Sequence, residues 1–235
     1  GRRESTGRGV VFLIERALDQ LGLVPGGCTA VVQGFGNVGS VTAGGLAYKS
    51  GLKIIGLSDH TVCLYDPKGL DVAAADIHAA AHGTLRDFPQ GERIPSDDFL
   101  TLPCDVLVPA AVERVIHASN AARLRCRVLA EAANGPTTPE ADEVLDQRRG
   151  EIFLIPDVLC NAGGVIVSYF EWVQDMQSFF WTDIEVTDRL FRILDNAFTA
   201  TSKRAKERNV SMRTAAMAIG IERVLAAKRD RGLFP

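Results

Sequence analysis

Several features that would assign this chain to a class of protein at once are missing from it. No apolar run reaches the length needed to cross a membrane, and the N-terminus has no signal-peptide pattern. No long basic run occurs and the formal net charge is only −3, which argues against nucleic acid as the main partner. The five cysteines are scattered and form no C-x-x-C motif, a usage typical of reduced thiols. We therefore expect a cytoplasmic protein that contacts neither a membrane nor nucleic acid.

The sequence also has little that could hold a metal ion. His78 and His82 are four residues apart on a predicted helix, a spacing that two metal ligands can use. No third ligand lies nearby in sequence, so we interpret both residues as surface histidines. We predict that the chain holds no metal.

What the chain does contain is an alternation of apolar runs and helical patterns. Apolar residues make up 46% of its 235 residues, enough for a sizeable core. This alternation predicts an α/β fold, a Rossmann-like, doubly wound, mainly parallel sheet with helices on both faces and a helical C-terminal tail. The predicted strands are 28–33, 53–58, 105–108, 127–131 and 152–155, with a short extra strand at 62–65. The predicted helices are 10–22 (capped by Ser5 or Thr6), 37–50, 71–82, 119–124, 139–148, 161–181, 183–208 and 211–230, and 84–103 is predicted to be mostly loop.

A glycine pattern follows the first predicted strand and opens the next helix. Gly34, Gly36 and Gly39 have G-x-G-x-x-G spacing, which suits a tight turn, a close backbone approach to a pyrophosphate, and packing of the helix on the strand. Asp59 ends the second strand, about 20 residues further on, where an acidic residue holds the ribose hydroxyls of NAD. The pattern predicts a dinucleotide site that uses Gly34, Phe35, Gly36, Asn37, Val38, Gly39 and Asp59.

Two later strand ends carry polar residues that could join this site. Asn134 follows the strand 127–131 in an Asn-Gly-Pro turn, and its amide could bond a ribose or a nicotinamide; a plain turn without a ligand is the alternative. Asn161 follows the strand 152–155. Ser168 comes seven residues later, on what we expect to be the same helix face. Its hydroxyl could touch a substrate or bond its own helix backbone.

Five motifs together resemble the nucleotide-binding domain of the Glu/Leu/Phe/Val amino-acid dehydrogenases. They are R-E-S-T-G-R-G-V (3–10), Q-G-F-G-N-V-G (33–39), E-A-A-N-G-P-T (131–137), N-A-G-G-V (161–165) and S-Y-F-E-W-V-Q (168–174). The resemblance covers the whole chain. Within that group the chain is most similar to hexameric glutamate dehydrogenases, because the last two motifs occur together.

The resemblance implies a role for each candidate residue. Thr6 would contact the nicotinamide carboxamide, Asn37 the pyrophosphate and Asp59 the adenosine ribose. Asn134 would lie by the nicotinamide ribose, and Asn161 by the nicotinamide and the substrate. Ser168 would donate a hydrogen bond to the side-chain carboxylate of glutamate, which a leucine-type substrate lacks.

The resemblance also implies the reaction and what this chain lacks for it. Hydride passes from the amino-acid Cα to NAD(P)+, and hydrolysis of the resulting imine gives 2-oxoglutarate and ammonia. The family's catalytic lysine and aspartate belong to an N-terminal substrate domain that has no match here. Because the chain also begins without Met, we expect a fragment, residues 1–235, that binds cofactor but has no catalytic residue and does not turn over. We expect the helices at about 1–24 and 183–235 on the inter-domain side.

Several alternatives stay open at this point. We expect NAD as the cofactor because a 2′-phosphate would meet Asp59, but NADP is possible if a protonated His60 offsets that charge. The aromatic residues Trp172, Phe179, Phe180 and Trp181 form either internal packing or a surface that meets the missing domain. The full-length protein is expected to be a homohexamer and the fragment a monomer or weak dimer. The chain could instead belong to a leucine, phenylalanine or valine enzyme, or be a stand-alone regulatory NAD-binding module.

Overall fold

The computed structural model describes residues 2–232, with the side chain of Arg3 excepted. The strands are β1 (Thr29–Gln33), β2 (Lys53–Ser58), β3 (Cys63–Tyr65), β4 (Glu92–Arg93), β5 (Val106–Pro109), β6 (Val128–Ala130) and β7 (Phe153–Ile155). The helices are α1 (Arg2–Gln20), α2 (Asn37–Gly44), α3 (Val72–His82), α4 (Ser96–Phe99), α5 (Ala118–Ala121), α6 (Pro139–Gln147), α7 (Asp157–Cys160), α8 (Gly163–Gln177), α9 (Asp183–Arg208) and α10 (Met212–Arg231). None of these helices is both long and apolar enough to span a membrane.

The strands form one sheet in the order β4-β3-β2-β1-β5-β6-β7. Strands β2, β1, β5, β6 and β7 are parallel, and β3 and β4 add an antiparallel edge. The chain runs outward from β1 in one direction to β2 and then returns to place β5 on the other side of β1. This reversal is the topological switch point of a doubly wound sheet, where ligands bind outside the carboxyl ends of the strands. The predicted mainly parallel fold is therefore confirmed.

Both faces of the sheet are covered by apolar side chains. One core cluster includes Leu13 and Ile14 of α1 together with Val32 of β1 and Leu194 of α9. A second cluster fills the opposite face and includes Phe99, Ile116, Leu124, Leu129 and Leu145. Strands that are covered on both faces consist of continuous apolar runs. The predicted bounds of β1, β2 and β5 to β7 therefore agree with the structure within a residue or two.

Two expectations about local structure in the first half of the chain are wrong. The first helix does not begin after a Ser5 or Thr6 cap but at Arg2, so both residues lie inside α1. The buried Ser5 hydroxyl donates to the Arg2 carbonyl at 2.5 Å, which satisfies it within the helix. The segment 84–103 is also less irregular than expected, because Glu92–Arg93 pairs with β3 and Ser96–Phe99 forms a helical turn.

The last two helices lie close to their predicted positions because their ends carry clear signals, whereas the helix predicted at 161–181 begins at Gly163 and ends at Gln177, where Ser178 adopts the left-handed conformation. Thr182 and Glu185 form a capping box at the start of α9, and Asn209 ends that helix in the left-handed conformation. Ser211 then caps α10 by accepting from the Thr214 N–H. The helix predicted at 119–124 is shorter, ending at Ala121. Residues 183–235 were expected on the inter-domain side, and the last three of them, 233–235, lie outside the described residues.

The aromatic cluster predicted at 172–181 divides into two parts. Trp181 packs against the core, with its ring 5.4 Å from that of Phe170. Trp172, Phe179 and Phe180 are 58%, 64% and 72% exposed. Of the two interpretations, internal packing therefore applies to Trp181, whereas the other three aromatic side chains are exposed.

Candidate functional site

The glycine turn lies at the switch point between β1 and β5. Gly34 follows β1 with φ +92°, a conformation that glycine adopts without strain. A Cβ at this position would lie 2.8 Å from Cα and Cβ of Ala111, which follows β5. Gly34 therefore permits both the turn and the close approach of the two strand ends.

The other two glycines of the turn have different surroundings. A Cβ on Gly39 would lie 1.6 Å from the Gly34 carbonyl oxygen, so no side chain fits between α2 and the turn. Gly36 is exposed and precedes α2, and a Cβ there would meet no atom within 4 Å. The space over Gly36 and the N-terminus of α2 is thus open, and N–H groups at a helix start suit a phosphate. The Phe35 side chain is 9% exposed in the core cluster, so this residue can offer a ligand mainly its backbone.

A cavity of about 860 Å³ opens beside this turn. It brings together six of the residues that the sequence singled out, from α1, the start of α2, the turns after β6 and α7, and α8. They are Thr6, Asn37, Val38, Asn134, Asn161 and Ser168. The lining is completed by Arg2, Ala110 and Ala111, which the sequence did not single out. It also includes Ala132, Ala133, Gly164 and Val165, which belong to two of the motifs but had no predicted role. Ala110 and Ala111 could have been found, because they directly follow a predicted strand at the ligand-binding edge.

Small residues at the start of α8 allow Thr6 to reach this cavity. A Cβ on Gly163 would lie 2.4 Å from the Ser5 carbonyl oxygen, and one on Gly164 would lie 2.6 Å from Thr6 Oγ1. Helices α1 and α8 therefore pack with their backbones in close approach. This contact sets the Thr6 hydroxyl against the cavity wall.

Asn134 and Asn161 are already bonded to each other. Asn161 Nδ2 donates to Asn134 Oδ1 at 2.7 Å and to the Ala133 carbonyl at 3.3 Å. The Asn134 amide is therefore oriented toward Asn161, and a ligand at this turn stays a prediction. The two amides are thus fixed relative to each other at the cavity.

Ser168 lines the cavity, but the prediction that it shares one helix face with Asn161 is wrong. Asn161 ends α7 and Ser168 belongs to α8, so the two residues do not share one helix face. The turn between the two helices nevertheless brings both to the same cavity. Within the described residues the half-buried Ser168 hydroxyl has no hydrogen-bond partner, so it does not bond its own helix.

Asp59 lies at the end of β2, which flanks β1 on the side opposite to β5. It is not one of the described residues that line this cavity. Its Oδ1 accepts from Thr61 N, Thr61 Oγ1 and Val62 N at 2.7, 2.6 and 3.0 Å, and its Oδ2 accepts from Leu85 N at 2.6 Å. Burial alone would raise the pKa of Asp59, but these hydrogen bonds outweigh it and hold the pKa below its ordinary value. A fixed negative charge therefore stands at this strand end, with the exposed His60 beside it.

Cys160, next to Asn161, does not line this cavity among the described residues. It is fully buried, and burial together with the carboxylates of Glu131 and Asp157 raises the pKa of its thiol well above the usual value. The thiol therefore stays protonated and unreactive.

Comparison with known proteins gives consistent matches along the chain. The family model described as Glutamate/Leucine/Phenylalanine/Valine dehydrogenase matches residues 1–232. The glutamate dehydrogenase of Thermotoga maritima is 48% identical over 235 residues, 100% of this chain and 56% of that protein. The NAD-specific glutamate dehydrogenase of Staphylococcus aureus is 44% identical over 232 residues, 99% of this chain and 55% of that protein. The chain thus spans about half the length of the curated relatives it matches.

Solved structures agree with these matches. The hetero-hexameric glutamate dehydrogenase of Thermus thermophilus, in a leucine-bound form, superposes with a TM-score of 0.91 at 32% identity. The match covers 100% of this chain and 55% of that one. Glutamate dehydrogenase from Peptoniphilus asaccharolyticus gives a TM-score of 0.82 at 33% identity, over 100% of this chain and 54% of that one.

Proposed function

The chain belongs to the Glutamate/Leucine/Phenylalanine/Valine dehydrogenase family, and we propose that it is the cofactor-binding half of a glutamate dehydrogenase. The overall reaction would convert L-glutamate, NAD+ and water to 2-oxoglutarate, ammonia and NADH. The observation that carries this proposal is the single cavity that unites Thr6, Asn37, Asn134, Asn161 and Ser168 beside the glycine turn. The glutamate dehydrogenases among its relatives support the same substrate.

The residues of the cavity suit NAD in a definite order. The open space over Gly36 would receive the pyrophosphate, with Asn37 and the N–H groups at the start of α2 as donors. Thr6 would bond the nicotinamide carboxamide, while Asn134 and Asn161 would hold the adjoining ribose and ring. When bound, the nicotinamide accepts the hydride that leaves the amino-acid Cα. The chain's part in that step is to fix the direction of approach.

Ser168 supports glutamate rather than an apolar amino acid. Its hydroxyl faces the cavity and, within the described residues, has no partner, so it can donate to a substrate carboxylate. An apolar side chain would leave the hydroxyl unbonded when water is displaced, and sites of this kind reject the analogue that lacks the polar group. A leucine, phenylalanine or valine enzyme remains the competing proposal, and the Ser168 variant described below separates the two.

Asp59 supports NAD over NADP. Its carboxylate is ionised and fixed by four hydrogen bonds, so it would repel a 2′-phosphate and can accept from free ribose hydroxyls. The relatives named NAD-specific have the same preference. NADP use would require compensation by a cation such as protonated His60.

The proton chemistry would belong to a lysine and an aspartate outside this chain. We therefore propose that the chain alone binds cofactor and does not turn over glutamate. The exposed side chains of Trp172, Phe179 and Phe180 would face the catalytic domain, and the helices at about 1–24 and 183–235 would lie on that side. The whole enzyme would be a homohexamer, and the isolated chain a monomer or weak dimer.

A fluorescence titration of the purified chain with NADH and with NADPH at matched salt tests the cofactor assignment. Tighter binding of NADH is the expected result. Tighter binding of NADPH would keep the family and overturn the role given to Asp59. Binding of neither would contradict the proposal for the chain alone, and so would deamination of glutamate by the chain.

A further inference from the structure

A buried carboxylate that the proposed function does not use lies next to the cavity wall. Glu131, at the end of β6, is fully buried, and an unpaired charge there would be costly. Its Oε2 accepts from the Asp157 backbone N–H at 2.9 Å. Its Oε1 accepts from the Thr137 hydroxyl at 2.5 Å and from Arg213 Nη2 at 2.6 Å. The charge is therefore compensated by a guanidinium that reaches it from α10.

Arg213 also holds two further carboxylates. Its Nε donates to Asp142 Oδ1 at 2.9 Å and its Nη1 to Asp157 Oδ1 at 3.1 Å. The planar guanidinium fixes the direction of each bond, and only 23% of the side chain is exposed to competing water. One residue of α10 thus joins the end of β6, helix α6 and the start of α7. We call Arg213, Glu131, Asp142 and Asp157 the Arg213 cluster.

The Arg213 cluster reaches the cavity through the second oxygen of Asp157. Asp157 Oδ2 accepts from the Gly135 N–H at 2.9 Å, in the turn that carries Asn134. Asn161, at the other end of α7, makes the second link to that turn through Asn134 Oδ1. Two bridges therefore tie the 133–135 turn to α7. Arg213 orients the first of them together with the Val158 N–H, which donates to the same Asp157 Oδ1 at 2.8 Å. Arg213 itself is not among the described residues that line the cavity.

We propose that Arg213 is a positioning residue for the nicotinamide end of the cofactor site, acting through Asp157 and Gly135 on Asn134. The inference rests on the proposed function, because it takes Asn134 and Asn161 to face the nicotinamide riboside. Without Arg213, three carboxylates remain close together with no shared cation, and their repulsion turns Asp157 away from Gly135. Of its two bridges to α7, the turn then keeps only the one made by Asn161. Its main chain is still held by the Ala133 N–H, which donates to the Pro109 carbonyl, and by the Gly135 carbonyl, so what is lost is one restraint on the position of Asn134.

The test measures two ligands against matched variants of the purified chain. NADH probes both halves of the site, whereas ADP probes only the adenosine and pyrophosphate half. In Arg213→Gln and in Asp157→Ala, the Kd of NADH should rise about ten-fold, which corresponds to about 1.4 kcal/mol, while the Kd of ADP stays unchanged. Asp157→Ala removes the link to Gly135 but leaves Glu131 paired with Arg213, so it reports on the same link if Arg213→Gln does not fold.

Arg204→Gln is the matched control. Arg204 makes a bidentate ion pair with Glu222, at 2.8 and 2.9 Å, between α9 and α10 and does not line the cavity. This variant also loses a charged pair of α10, but it should leave both affinities unchanged. Equal weakening of NADH and ADP in the folded test variants would show a general structural effect and overturn the proposal. Unchanged NADH affinity in both would overturn it as well.

Hydrogen exchange at the Gly135 amide, measured without cofactor, separates this inference from the proposed function. Exchange should accelerate in Arg213→Gln and Asp157→Ala but not in Arg204→Gln. An unchanged Gly135 rate overturns the coupling, whatever the cofactor does. A wild-type chain that binds neither NADH nor ADP overturns the proposed function and the nicotinamide assignment, while Gly135 exchange still decides the coupling.

Discussion

Replacing Gly39 by alanine perturbs the cofactor turn by the smallest possible side chain. The new Cβ would lie 1.6 Å from the Gly34 carbonyl oxygen, whereas real Cβ contacts essentially never fall below 3.0 Å. Helix α2 or the turn must therefore shift by at least 1.4 Å, the difference between those distances. In an unhindered helix the same change would be favourable by about 1 kcal/mol. Forced repacking typically costs about 1–3 kcal/mol, and a shift of this size belongs at the upper end, about 2–3 kcal/mol. After the favourable contribution of about 1 kcal/mol is subtracted, we expect net destabilisation of about 1–2 kcal/mol.

Gly220→Ala provides the matched control for this prediction. Gly220 lies in α10, and a Cβ there would meet no atom within 4 Å, so the substitution should stabilise the chain by about 0.5–1 kcal/mol. Thermal unfolding should place Gly39→Ala about 2–8 °C below the wild type and Gly220→Ala slightly above it.

Cofactor binding gives the second measurement on the same two variants. Moving the start of α2 by more than an ångström should weaken NADH about ten-fold or more in Gly39→Ala, because the donors at that helix start are displaced. Gly220→Ala should bind NADH like the wild type. The reasoning would be refuted if Gly39→Ala were as stable as Gly220→Ala and bound NADH normally.

Two other substitutions test single roles. Asp59→Asn should reduce the preference for NADH over NADPH about ten-fold in paired titrations, and an unchanged ratio would remove Asp59 from cofactor selection. Because folding lowers the pKa of Asp59, its stabilising contribution is present above about pH 4 and is lost as the pH falls through the folded pKa. The difference in unfolding free energy between the wild type and Asp59→Asn should therefore narrow in acid, and a widening would contradict this sign. Ser168→Ala should leave NADH binding to the chain intact but lower kcat/KM for glutamate in the full-length enzyme by about 10- to 100-fold. If Ser168→Ala left kcat/KM for glutamate unchanged, the leucine-type alternative would be favoured.

Much of the fold could be predicted because its signals are local. The parallel strands are apolar runs between turn residues, and the glycine turn needs only the spacing of Gly34, Gly36 and Gly39. The start of α1 could not be predicted from caps, because residues before Ser5 continue the helix and Ser5 is satisfied by the Arg2 carbonyl. Strand β4 was missed because Glu92 and Arg93 carry no apolar alternation and pair only through β3.

The sequence predicted six of the residues that line the cavity but not the contacts that hold them in place. Motif matches selected Thr6, Asn134, Asn161 and Ser168, and all four line one cavity. The Arg213 cluster gave no such signal, because Arg213 is 82 residues from Glu131 and 71 from Asp142 along the chain. A charged residue at the end of a buried strand, Glu131, was the one available indication that a distant cation must reach it.

The polar side chains of the cavity differ in whether they already have a hydrogen-bond partner in the protein. Under the proposed function, this difference separates the groups that suit the cofactor from the one that suits the substrate. Asn134 and Asn161 are bonded to each other, so they are held in place before a ligand arrives and cost little to order. Ser168 is half-buried and, within the described residues, has no partner, so its hydroxyl is open to water. Under the proposed function, closure of the catalytic domain over the cavity would remove that water. An unbonded hydroxyl would then cost about 1–3 kcal/mol, which a glutamate carboxylate recovers and a leucine side chain does not. The preorganised amides thus suit the cofactor, and substrate selection would depend on a hydroxyl that becomes costly only when the site closes.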